Sequence, residues 1–264
     1  MAPSNTSEAA ETPRLIAALQ NGFQNAVIVV AGGMGGIGKA VCDQAAQLGA
    51  CVIAASRSGA ELDKAELPSR GQIATAKLDV TEPASIRAFA DWLKTEAGCL
   101  DILVNSAGLT RSVPLGELAH LDDALIDLVT AANHTGVLRL VRDLYPLLRA
   151  GHAPVIVNIS SVAARTGIGS NIAYVGAKAA VDAISVSLAK ALAPSIRVVS
   201  IAPSALETDF AKGRPQDFFD KTLRATPLKR LASVDEVADA VLCAARLLPM
   251  TTGAVITVDG GRSL

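Results

Sequence analysis

The chain has 264 residues, of which 50% are hydrophobic and 19% charged, so a large core is available. Lys plus Arg number 24 against 25 for Asp plus Glu, and this balance excludes the basic excess of a nucleic-acid or anionic-membrane binder. Aromatics make up only 3%, so the core is built from Ala, Val, Leu and Ile, as in strands buried on both faces under helices.

Residues 1–22 read as a polar N-terminal extension carrying Ser4, Asn5, Thr6, Ser7, Glu8 and Glu11. No basic start leads into an apolar run there, so a secretory signal is not expected. Residues 14–20 are expected to form a short helix leading into one domain, 23–264. Residues 26–30 are a continuous apolar run that predicts a buried parallel strand. A glycine loop follows, then a helix over 37–48 that Gly49 stops. The second strand, 51–55, ends in Ser56, Arg57 and Ser58. The third, 73–78, ends at Asp79 and Val80, and Thr81 is expected to cap a helix over 83–96.

The fourth strand, 100–104, ends at Asn105, Ser106, Ala107 and Gly108. A long helical stretch over 122–149 is expected to kink before Pro146. The fifth strand, 155–159, ends at Ser160 and Ser161. A glycine-rich stretch, 167–171, opens a helix that carries Tyr174 and Lys178 and runs through an alanine-rich segment to about residue 193. The sixth strand, 196–202, ends at Pro203. Residues 204–226 read as irregular with short helical pieces. A helix over 234–247 and a strand over 254–258 finish the chain.

Strands alternate with helices throughout. This predicts an α/β fold: a doubly wound, mostly parallel seven-stranded sheet with helices on both faces, Rossmann-like, in a single domain. Ligands of such sheets sit beyond the carboxyl ends of the strands. Ser56, Arg57, Asp79, Asn105, Ser160, Ser161 and Pro203 would all converge there. The cysteines (Cys42, Cys51, Cys99, Cys243) are scattered and read as reduced, mostly buried thiols of a cytoplasmic protein. His120, His134 and His152 are dispersed, and no metal site is expected. No stretch reaches the length of a membrane span without Gly, Pro or charge, so no membrane partner is expected.

The glycine loop can be parsed in three ways. Gly33, Gly35 and Gly38 fit the general dinucleotide spacing, and Gly32, Gly36 and Gly38 fit a variant of it. In both, bare backbone approaches a pyrophosphate and a helix N-terminus favours its charge. The third parse, Gly33 to Gly38 and Lys39, approaches a phosphate loop for nucleoside triphosphates. There Ala40 stands where a Mg²⁺-binding hydroxyl is needed. At the tip of the second strand no acid is present to bond the ribose hydroxyls of NAD(H). Ser56 and Arg57 offer a hydroxyl and a guanidinium instead, a natural clamp for the 2′-phosphate of NADP(H).

Tyr174 and Lys178, four positions apart, share a helix face. A neighbouring ammonium favours a phenolate, and such a pair can exchange a proton with an alcohol or carbonyl. Alone, the spacing arises often by chance. Alone, Ser161 reads as a strand-end serine capping a turn, and Asn133 as a helix-interior residue bonded to backbone.

Taken together, these pieces resemble the short-chain dehydrogenase/reductase family, in particular its 3-oxoacyl-(acyl-carrier-protein) reductase-like members. The resemblance runs from about residue 25 to 261. Gly32, Gly36, Ile37 and Gly38 resemble the cofactor loop, with Met34 inside it. Asp79 and Val80 resemble the adenine contact, and Asn105, Ala107 and Gly108 the Asn-x-Ala-Gly element. Pro203, Leu206 and Thr208 match the segment beside the nicotinamide amide, and Asp259, Gly260 and Gly261 the C-terminal signature. Asn133, Ser161, Tyr174 and Lys178 fall at the four catalytic positions. Ala31, Ser106, Val199 and Ser204 depart from the usual residues.

The resemblance implies hydride transfer between NADP(H), or less favourably NAD(H), and a carbonyl or secondary-alcohol carbon. Tyr174 would be the general acid/base. Lys178 would tune it and hold the nicotinamide ribose, Ser161 would bond the substrate oxygen, and Asn133 would hold a water near Lys178. A homotetramer or homodimer through helices rich in small residues (Ala131, Ala132, Gly136, Ala180, Ala183) is implied too. The substrate stays open between a modest ketone, a steroid, a sugar and a β-ketoacyl thioester. Phe210, Phe218 and Phe219 are expected to line its pocket, Lys212 and Arg214 either meet an anion or are solvated, and Arg111 and Arg165 stand near the mouth. The alternatives are an NAD(H)-dependent alcohol dehydrogenase of the same fold and a non-catalytic dinucleotide-binding sensor or scaffold.

Overall fold

A computed structural model of the protein describes residues 17–18, 21–206, 208 and 216–264. Residues 17 and 18 are helical; the rest of the helix expected over 14–20, and the polar stretch before it, lie outside the described residues. So do Phe210, Lys212 and Arg214.

The strands are β1 (Val27–Ala31), β2 (Cys51–Ser56), β3 (Ile73–Lys77), β4 (Ile102–Asn105), β5 (Val155–Ile159), β6 (Arg197–Pro203) and β7 (Val255–Val258). They form one parallel sheet in the order β3-β2-β1-β4-β5-β6-β7. The order reverses between β1 and β4, and a crevice opens there at the carboxyl ends. Side chains alternate along each strand, so the apolar runs feed two cores at once. Ile28, Val30, Val52 and Val104 meet α1 (Gly36–Gln47) and α8 (Val234–Arg246) through Val41, Ala45, Val237 and Val241. Val29, Ile53, Leu103 and Ile156 meet α2 (Pro83–Glu96) and α4 (Gly136–Arg149) through Phe89, Leu93, Leu140 and Leu144.

One local expectation changes, and one feature is new. Thr81 does not cap α2. Its N–H and hydroxyl both donate to Asp79 Oδ1, at 2.9 and 2.7 Å, and the N-cap residue Glu82 makes no side-chain bond. The long helical stretch widens at Asn133 and continues through Pro146. It divides into α3 (Asp123–Thr130), a π-helical turn (Ala131–Thr135) and α4, with Pro146 inside α4. A π turn widens the backbone by one residue and commonly marks a functional position. Behind it, Gly136 lies so close to the segment after β3 that an added Cβ would stand 2.5 Å from the Val80 carbonyl.

After the one-turn helix α5 (Ala163–Thr166), α6 (Ile172–Leu192) is tied to β5 and β6 by a buried polar chain. Asn105 and Asn158 are partners in the β4–β5 register, and the Asn105 amide donates to Asn158 Oδ1 at 2.7 Å. Asn158 Nδ2 donates to Ser185 Oγ of α6 at 2.8 Å, and Ser200 Oγ donates to the same hydroxyl at 3.0 Å. All four residues are buried, and each group left unpaired there would cost roughly 1–3 kcal/mol. By length and composition alone, α6 could cross a membrane. Here it turns Tyr174, Lys178 and Ser185 into the fold.

Candidate active site

A cavity of about 660 Å³ opens at the β1/β4 switch, along the carboxyl edge of the sheet. Its floor is the glycine loop. Gly32 has φ +81°, and a Cβ there would stand 2.7 Å from the Ala107 amide nitrogen, so only glycine lets the loop and the end of β4 meet. Gly36 has φ +28° and opens α1. The N-cap residue Gly35 gives that helix no side-chain bond, so its first amides face the cavity end uncapped. This bare, uncapped cradle fits a pyrophosphate.

The loop's other parses lose ground. Gly33 packs on Ala54, where an added Cβ would stand 2.7 Å from the Cα. Lys39 pairs with Asp43 on the exposed face of α1, at 2.5 Å, and is not among the cavity residues. A phosphate-loop lysine would have to point inward.

At the far end of the cavity, α6 presents Tyr174 and Lys178. Asn171 caps this helix: its side-chain oxygen accepts the Tyr174 amide at 2.7 Å. Its amide donates to Thr110 Oγ1 at 3.1 Å and to the Arg111 carbonyl at 2.8 Å, so α6 is pinned to the loop after β4. The Tyr174 ring packs in a small apolar cluster with Val113, Leu125, Val129 and Ala177. Lys178 Nζ lies 5.7 Å from that ring's centroid and donates to the Ile159 carbonyl at 2.8 Å.

Burial pushes the Lys178 ammonium down to about 8, against an opposing pull from Asp182. Asp182 sits one turn further along. Burial pushes its carboxyl up, while Ser160, Lys178 and Arg165 pull it down. Ser161 lines the cavity, and its Oγ also accepts the Ala163 amide at 3.2 Å, so it caps a turn and faces the site at once.

Asn133 sits in the π turn. Its amide donates to the carbonyls of Leu109 and Val129, at 2.7 and 2.9 Å. Its Oδ1 is buried with no partner among the described residues. A Cβ on Gly108 would stand 2.5 Å from that oxygen and 3.9 Å from Lys178 Nζ. The bare Gly108 therefore lets Asn133 and Lys178 face one shared space.

Of the residues singled out in the sequence, the cavity gathers Gly32, Met34, Gly36, Ile37, Ser56, Arg57, Asp79, Val80, Ala107, Gly108, Ser161, Tyr174, Lys178, Pro203, Leu206 and Thr208. Gly38, Asn105 and Asn133 stand behind its wall. An added Cβ on Gly38 would lie 2.2 Å from the Gly32 carbonyl oxygen, so it serves loop–helix packing. Asn105 belongs to the buried chain that ties β4 to β5. Phe218 of α7 (Gln216–Ala225) lines the cavity, with Phe219 edge-on to it at 5.3 Å between centroids. Arg111 is paired with Asp122 beside a separate surface hollow, and Arg165 is exposed outside the cavity. Sequence reasoning missed Arg262, which enters the cavity from the C-terminal turn. It also gave Asn171 no role, although an Asn three residues before Tyr174 is a cap signal. Among the described residues no cluster of His, Cys, Asp or Glu can hold a metal ion.

Comparison with known proteins identifies the family and agrees with the fold. The family model described as enoyl-(acyl carrier protein) reductase matches residues 32–263. The 3-oxoacyl-(acyl-carrier-protein) reductase FabG of Escherichia coli is 32% identical over 243 residues, 90% of this chain and 98% of the relative. The acetoacetyl-CoA reductase of Cupriavidus necator is 30% identical over 244 residues, 89% of this chain and 97% of the relative. Among solved structures, the RhlG/NADP active-site complex of Pseudomonas aeruginosa superposes with a TM-score of 0.80 at 28% identity, covering 92% of this chain and 98% of that one.

Proposed function

The chain belongs to the short-chain dehydrogenase/reductase family, oxidoreductases acting on carbonyl and alcohol groups, and from that premise we propose an NADP(H)-dependent carbonyl reductase with Tyr174 as general acid/base. The observation that carries this reading is the meeting of Ser161, Tyr174 and Lys178 in the same cavity as the uncapped glycine loop. The nicotinamide supplies the hydride. The glycine loop and the N-terminus of α1 hold the pyrophosphate, and Asp79 and Val80 meet the adenine.

Ser161 donates a hydrogen bond to the substrate oxygen and fixes it beside Tyr174, which gives that oxygen its proton. Lys178, anchored by the Ile159 carbonyl, bonds the nicotinamide ribose and supports the phenolate left behind. Asn133 turns its unpartnered Oδ1 toward the space it shares with Lys178, where a water would carry the replacement proton inward.

The preference for NADP(H) rests on Ser56, Arg57 and Ser58, which line the adenosine end of the cavity. Ser56 and Ser58 place their hydroxyls 3.3 Å apart, and no acid occupies the tip of β2, residues 56–58. The bound NADP of the Pseudomonas relative supports the same preference. An NAD(H)-dependent dehydrogenase of the same fold is the reading that would replace it.

All four cysteines are free thiols, which suits a cytoplasmic setting. Leu128, Leu138 and Val186 are 45%, 42% and 39% exposed on α3, α4 and α6, and a second copy covering them would give the homotetramer or homodimer.

The test is to follow NADPH absorbance with a panel of an acetoacetyl thioester, a β-ketoester and a cyclic ketone. NADPH-dependent reduction of at least one is expected. A protein that binds NADPH yet reduces none of them, and oxidises no matching alcohol with NADP⁺, would be a sensor and not an enzyme.

A further inference from the structure

Among the described residues, Arg57 and Arg262 are the guanidiniums that line the cavity, Arg57 at the tip of β2 and Arg262 beside Ser204 just after β6. The C-terminal turn is built to put it there. Asp259 follows β7, and its carboxylate accepts the amides of Gly261 and Ser263, at 2.9 and 2.8 Å. Gly260 and Gly261 take φ +61° and +85°, a pair of left-handed residues that reverses the chain at once. The turn is clamped from outside. The Leu228 amide donates to the Gly260 carbonyl at 3.2 Å, and a Cβ on Gly260 would stand 2.7 Å from Thr226 Cγ2. Residue 262 is thus held between the end of β6 and the segment that follows α7.

Among the described residues, Arg262 uses little of its bonding capacity. A guanidinium carries five N–H donors. The bond from Arg262 Nη1 to Ser204 Oγ, 3.5 Å long, is its one hydrogen bond among the described residues. Asp259 acts on the Arg262 charge but spends its oxygens on the turn's own amides, and among the described residues no ion pair joins the two. Burial pulls the Arg262 guanidinium down, and Asp259 offsets part of this. Arg165, acting on Asp259 and Asp182 from outside the cavity, adds a second positive charge to the same region. A half-buried cation facing a cavity with most donors unspent is poised for an anion.

We propose that Arg262 is a specificity-determining residue that binds an anionic group, a carboxylate or phosphate, on the carbonyl substrate. This rests on the reductase reading above and narrows its substrate class. The neutral face of the pocket, Phe218 and Val162, would take the carbon chain between the reacting carbonyl and the anion.

The test uses the full chain saturated with NADP⁺. Calorimetry compares levulinate with its methyl ester, and dihydroxyacetone phosphate with dihydroxyacetone, for the native protein, Arg262→Gln and Arg262→Lys. The ratio of kcat/KM within each pair is then measured with NADPH. The expected result is an anion preference of about 10- to 100-fold in at least one pair, the worth of a charge-assisted hydrogen bond. That preference falls to near unity in Arg262→Gln and is partly kept in Arg262→Lys. The pair that shows it identifies the anion as carboxylate or phosphate. Equal binding within both pairs, or a preference that survives Arg262→Gln, overturns the assignment. Turnover of neutral ketones without an Arg262-dependent preference leaves the reductase reading standing. Arg262-dependent anion binding without turnover of any ketone overturns the reductase reading instead.

Discussion

Tyr174→Phe should bind NADPH as the native protein does and lose turnover by about 10³-fold, the scale of a positioned proton donor. The substitution removes one oxygen and keeps the ring. The ring packs among Val113, Leu125, Val129 and Ala177, so the cluster that seats it is retained. Asn171 still caps α6 through the residue's backbone amide, which the change does not touch. Parallel measurement of NADPH affinity and of kcat separates the two effects. Turnover within a few-fold of native would remove Tyr174 from the proton step, and the assignments of Ser161 and Lys178 would go with it.

Lys178→Met has a second large effect, of opposite sign on activity and on stability. At neutral pH the native protein holds a buried ammonium whose pKa is pushed down from 10.5 to about 8. That depression corresponds to about 3 kcal/mol of destabilisation while the group is charged. Methionine removes the charge and keeps the length, but leaves the Ile159 carbonyl without its donor, at roughly 1–3 kcal/mol. The variant should be as stable as the native protein at pH 7, or slightly more so, and inactive.

The sign with pH is fixed by linkage. Between pH 8 and 10.5 the unfolded chain keeps the Lys178 proton that the folded chain sheds, so native stability rises with pH in that window through this group. The variant lacks that rise. Urea denaturation of both proteins at pH 7 and pH 10 should therefore show the native protein gaining about 2 kcal/mol on the variant. A difference that stays constant with pH would mean Lys178 is not held against its charge.

Much of the fold was legible because parallel strands buried on both faces leave unbroken apolar runs, such as Val27–Ala31 and Val155–Ile159. The seven strands and their parallel sense followed from those runs and the helices between them. Boundaries slipped where hydrogen bonds, rather than side-chain pattern, decide the end. Thr81 looked like a cap because a hydroxyl stood before Pro83, yet it bonds back to Asp79. Pro146 stands inside α4, while the backbone widens at Asn133. Nothing in the residue types around Asn133 announces a π turn, which packs against α6.

The site followed the same division. Residues at strand ends, such as Ser56, Asp79 and Ser161, could be placed because their spacing in the chain becomes adjacency along a sheet edge. Arg262 could not, since its approach depends on how a turn near the C-terminus folds back over β6. Asn105 and Gly38 pointed to the cofactor by spacing alone, while their contacts join protein to protein. Their place one step behind the wall is a matter of tertiary packing that spacing does not encode.

The most direct measurement is a fluorescence titration of the purified protein with NADPH and, in parallel, with NADH. NADPH should bind about 10- to 100-fold more tightly, the gain from one guanidinium–phosphate contact at Arg57 aided by Ser56. Equal affinity, or tighter binding of NADH, would contradict the 2′-phosphate clamp and point to an NAD(H)-dependent dehydrogenase. Binding of neither would contradict the dinucleotide site itself.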